Sequence, residues 1–130
     1  MLPLKLKVDF KYDSILLPAY NSRHKMTDKK LVLTTCGSQE EAIALAKALV
    51  ERQLAACVNI FPQVESVYRW QGKVESAAEY LLLIKTTAGA FDRLRVALHE
   101  LHSYNIPECI EVAVEGGSEA YLQWIGESVR

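Results

Sequence analysis

The sequence predicts an α+β domain of β-α-β-β-α-β order with one further helix after the last strand. Three observations carry this. Four segments, 30–36, 54–70, 74–87 and 109–114, read as β-type runs, rich in β-branched and alternating apolar residues. Two other segments, 38–50 and 91–101, space their apolar residues three and four apart instead. The short Gln71-Gly72-Lys73 sequence separates the two longest β-type runs, as a hairpin turn does.

The first strand, Lys30–Cys36, stops at Gly37. Ser38 and Glu41 then match a capping box, a helix-start hydroxyl with a carboxylate three residues on. Ala42, Leu45, Ala46, Leu49 and Val50 follow at i, i+3, i+4, i+7 and i+8, which predicts one buried helix face. Leu54–Trp70 and Val74–Thr87 predict a long hairpin. Pro62 has no amide hydrogen to give to a ladder, so a bulge or a break of pairing is expected there. Beyond it Val64, Ser66, Tyr68 and Trp70 share one face, and Glu65, Val67 and Arg69 the other. The continuous run Leu81–Ile84 reads as strand covered on both faces. Phe91, Leu94, Ala97, Leu98 and Leu101 predict the second helix, with Pro107 beyond its end. Cys109–Val114 is the fourth strand, closed by Gly116-Gly117. Ser118 can cap a terminal helix carrying Tyr121, Leu122 and Ile125. This order is the ferredoxin-like split βαβ arrangement: two helices over an antiparallel sheet of strand order 4-1-3-2.

A chain of 130 residues has material for one core. Half of it is hydrophobic and 24% is charged, the balance of a globular protein. No run approaches the ~20 consecutive apolar residues of a membrane span, so no membrane partner is expected. Residues 1–29 have no sustained period and contain Pro3 and Pro18. They are expected to form an N-terminal extension to a domain at 30–130, with Met26 at the natural start of the folded part. The leader has neither a secretory nor a transit layout, which makes the cytoplasm the expected compartment.

The net charge of −1 conceals an asymmetry. Residues 1–30 hold seven Lys/Arg against three Asp/Glu, whereas residues 31–130 hold eight against thirteen. An acidic body argues against nucleic acid as the main partner, because phosphate binding needs a concentrated basic surface. Cys36, Cys57 and Cys109 are widely spaced, form no CxxC pair and read as reduced thiols.

Five collinear segments give a more specific signal: QLAACVNI (53–60), SVYRWQGKVE (66–75), LLLIKTT (81–87), LHSYNIPECIEV (101–112) and GSEAYLQWI (117–125). In order and spacing the chain resembles the CutA family over about residues 30–130. The resemblance implies a ferredoxin-like fold assembled as a compact homotrimer, with extended hairpins running between subunits. It also implies a non-enzymatic part in divalent-metal tolerance, copper in particular. No cofactor is implied as required; divalent metal or copper is the ion it points to. The residues themselves agree on assembly. Open sheet edges and an aromatic hairpin invite pairing with another chain, and three copies of one heterologous contact close a ring. Tyr68, Trp70 and the Val64 row are the candidates for that packing.

The copper ligands of family members, a first-strand cysteine and two successive histidines, fall by position on Thr34, Leu101 and His102. Only His102 can ligate, and Ser103 stands where the family pattern has proline. Two near-substitutes exist. Cys36 lies two residues after Thr34, on the same strand face, and His99 three before His102, on nearly the same helix face. His102, Cys36 and His99 are therefore the candidate metal set, and thiolate with imidazole suits Cu(I) or Zn(II). Glu75, Lys85, Tyr104 and Glu108 also fall on motif positions near strand ends. With Tyr68 and Trp70 they are the candidate cleft or intersubunit residues, as acid/base groups or as an ion-pair network.

Other chemistries fare poorly. Thr34–Ser38 sits at a strand-to-helix junction but has too few glycines and no following lysine for a phosphate loop. Cys57 lies mid-strand with no histidine near it in sequence, so no nucleophile–base pair is legible. The alternative from another class is a P-II-like small-ligand signalling trimer. That role calls for a long flexible loop and basic phosphate contacts, against which stand the short hairpin turn and the acidic body.

Overall fold

A computed structural model describes residues 27–130, so the extension, Pro3, Pro18 and Met26 lie outside the described residues. The elements run β1 (Lys29–Cys36), α1 (Gln39–Glu51), β2 (Cys57–Trp70), β3 (Lys73–Thr87), a 3-10 turn (Ala88–Ala90), α2 (Phe91–Leu101), β4 (Ile110–Ala113) and α3 (Glu119–Ser128). They form one antiparallel sheet of order β2-β3-β1-β4, the expected 4-1-3-2 read from its other edge.

The hydrophobic pattern explains the layering. Val32, Thr34 and Cys36 of β1 and Leu82, Ile84 and Thr86 of β3 are fully buried. They pack with Ala42, Leu45 and Leu49 of α1 and with Leu94, Ala97 and Leu98 of α2. Val50, expected on the buried stripe of α1, is exposed instead, because helical rotation sets it to one side of the face shared by Ala42, Leu45 and Leu49.

Several local details depart from the sequence pattern for identifiable reasons. The folded part extends before residue 30. The Thr27 hydroxyl donates to the Val114 carbonyl at 2.6 Å and accepts from the Lys29 N–H, while the Asp28 carbonyl accepts from the Ala88 N–H. Strand β2 begins at Cys57 rather than Leu54, because α1 ends in a Schellman motif. Gln53 adopts φ 57°, and the N–H groups of Gln53 and Leu54 return to the carbonyls of Val50 and Leu49. Leu54 is thereby turned into the core. The capping box is only half formed. Ser38 accepts from the Glu41 N–H at 3.1 Å, but the Glu41 carboxylate bonds the N–H and hydroxyl of Ser103 instead of reaching back.

The run Leu81–Ile84 is covered fully on one face only. Leu82 and Ile84 are buried beneath the helices, whereas Leu81 and Leu83 are half-buried. On their side of the sheet, pairing aligns Phe61 with Leu81, Ile110 with Leu33 and Val112 with Leu31. Phe61, Ile110 and Val112 are exposed, since α3 is ten residues long and covers only part of this face.

The hairpin carries the feature that positions the site. Phe61 pairs with Leu81 but Val64 pairs with Glu79, so Pro62 and Gln63 together oppose Tyr80 alone. This is the bulge expected at Pro62, with Gln63 at φ 57°. Side chains alternate along a strand, so one extra residue exchanges the faces of everything beyond it. Tyr68 therefore pairs with Glu75, and Ser66 with Ala77, on the side that also carries Leu81 and Leu83. The tip closes through Gln71 and Gly72 at φ 48° and 78°, a two-residue turn of the type that suits twisted hairpins.

Candidate functional site

A cleft of about 480 Å³ opens on this side of the sheet, at the far end of β3 from α3. Its aromatic walls are Tyr68 and Trp70 from β2 and Tyr104 from the segment after α2. Glu75, Ala77 and Glu79 of β3 make the floor, and Asn105, Ile106 and Glu108 close the remaining side with Thr35 of β1.

The segment 102–108 is held against the sheet by a chain of hydrogen bonds. The His102 Nε2–H donates to the Thr35 carbonyl at 2.7 Å, and its Nδ1 accepts from the Tyr104 N–H at 2.9 Å. This pairing requires the neutral tautomer protonated at Nε2. The Tyr104 ring lies 4.7 Å from the imidazole, and its hydroxyl donates to Glu79 Oε2 at 2.8 Å. Ser103 is tied to Glu41 by two bonds of 2.9 Å.

Charge in the cleft is one-sided. Three carboxylates line it and no Lys or Arg does. Glu79 is only 8% exposed, accepts from Tyr104, and has no ion-pair partner among the described residues. Burial, and then the charge of Glu79, push the Glu108 carboxyl above its ordinary value. Burial likewise raises the Tyr104 phenol, and its bond to Glu79 adds to that. At Glu41 burial opposes the charged form, but the two Ser103 bonds outweigh it and hold the carboxyl below its ordinary value.

The structure thus gathers five of the six expected cleft residues: Tyr68, Trp70, Glu75, Tyr104 and Glu108. Lys85 is elsewhere. It pairs with Leu31 and Cys57 near the other end of β3, and its ammonium donates to the Tyr121 hydroxyl at 3.0 Å. That bond chiefly raises the Lys85 value, against the desolvation that lowers it. Sequence reasoning missed Glu79. The available signal was its place four residues after Glu75, hence on the same strand face, at the edge of the apolar run.

The metal candidates do not converge. Cys36 is fully buried on the helix side of the sheet, its thiol raised by burial and donating to the Ser38 carbonyl. His102 holds the Thr35 carbonyl of the neighbouring, oppositely facing strand residue and has both nitrogens engaged. His99 is exposed on α2. Among the described residues no three His, Cys, Asp or Glu side chains form a group able to hold a metal ion. These residues therefore do not fit a copper or zinc ion as they stand.

Comparisons with known proteins bear on the same region. Residues 30–128 match the family model described as CutA1 divalent ion tolerance protein. The chain is 47% identical over 100 residues to the divalent-cation tolerance protein CutA of Thermus thermophilus, spanning 77% of this chain and 97% of that one. It is 43% identical over 100 residues to the chloroplastic protein CutA of Arabidopsis thaliana, which covers 77% of this chain but 55% of that longer one. The crystal structure of CutA from Xylella fastidiosa superposes with a TM-score of 0.78 at 40% identity, covering 80% of this chain and all of the other.

Proposed function

Because the chain belongs to the CutA1 divalent ion tolerance family, we propose that it acts as a non-enzymatic homotrimer in the tolerance of divalent metal ions, copper among them. The 47% identity to a divalent-cation tolerance protein, over nearly the whole of that relative, carries the reading. The half-bare sheet face supports assembly. Phe61, Ile110 and Val112 stand exposed beside half-buried Leu81 and Leu83, an apolar surface of the kind that marks contact with another chain. The exposed edges β2 and β4 and the projecting hairpin add unpaired backbone to that surface.

The non-enzymatic reading rests on the family, which is described by divalent ion tolerance and not by a reaction. The thiols of Cys36 and Cys57 contact Ser38 and Asn59, and His102 contacts backbone groups. A P-II-like role is not favoured, since the hairpin turn spans two residues and the acidic cleft repels phosphate. Three free cysteines suit a reducing compartment, and we assign the protein to the cytoplasm. No helix among the described residues is long and apolar enough to cross a membrane.

Metal tolerance then does not run through copper held by Cys36, His99 and His102 of one chain. Growth of a deletion strain on graded copper, zinc and cadmium tests this. Wild type and Cys36→Ser should restore growth equally. Failure of wild type to restore growth on any of the metals refutes the tolerance role. A stoichiometric copper site that resists free histidine and disappears in Cys36→Ser refutes the ligand argument. Light scattering should give three times the 14.6 kDa chain mass, and a clean monomer refutes the trimer.

A further inference from the structure

We draw no further inference here: the strongest candidate, the buried junction at the end of α2 where His102 holds the Thr35 carbonyl and the Tyr104 N–H, anchors a wall of the cleft already described, on the sheet face given to trimer packing, and nothing in the structure shows what covers it there.

Discussion

Replacing Thr34 with valine should stabilise the protein, although it alters the centre of the core. Thr34 is 0% exposed on the helix-facing side of β1, and its hydroxyl is the buried side-chain polar atom without a hydrogen-bond partner among the described residues. Hiding such a group from water costs about 1–3 kcal/mol, and valine replaces the oxygen by a methyl group of nearly the same size. The β-branch is kept, so neither strand preference nor rotamer freedom changes much. The expected gain is about 1–2 kcal/mol. For a domain of this size that amounts to a rise of roughly 4–8 °C in melting temperature per kcal/mol. Thr34→Ser is the counter-test. It keeps the unpaired hydroxyl, deletes the methyl and should lose about 1 kcal/mol to the cavity. Urea unfolding at one fixed chain concentration measures both, since any assembly makes stability depend on concentration. A valine variant less stable than wild type, with an unchanged m-value, would refute the reasoning by showing that the hydroxyl has a partner.

Three further outcomes follow from named contacts. Glu41→Gln should loosen segment 102–108 and cost about 1 kcal/mol near neutral pH, discounted for partial exposure. The folded-state carboxyl lies below its ordinary value, so its contribution is present above the ordinary carboxylate range and is lost as pH falls through the lowered value. Wild type and variant should therefore converge in acid, and a gap that persists there argues against charge as the cause. Gln53→Gly should add about 0.5–1 kcal/mol, because glycine takes the left-handed end of α1 without strain, and a melting temperature that drops would count against the Schellman geometry. Starting the chain at Met26 should leave the number of chains per particle and the melting temperature unchanged, as it keeps Thr27 and its bonds to Val114; a large loss of stability would show that the leader docks.

What the sequence by itself determined is the set of elements and their order. Strand and helix periodicities are local, and the β1 apolar run, the spacing of Leu94, Ala97 and Leu98 and the turn at Gly72 each declare themselves within a few residues. The proline at 62 likewise announced a bulge, because a missing amide hydrogen is a property of the residue alone. Tertiary structure alone decided the partners. Glu41 turned from its own helix cap to Ser103, 62 residues away, and Tyr104 found Glu79 across 25 residues. Lys85 and Glu75 occupy one strand yet face different ends of the molecule, one beside Tyr121 and one in the cleft. His102 was legible as a ligand by type, but its two nitrogens were claimed by backbone groups that no spacing rule connects to it. The physical reason is common to all four. Local backbone preference repeats along the chain and can be read from it, whereas a polar side chain bonds whatever group the folded sheet brings within about 3 Å.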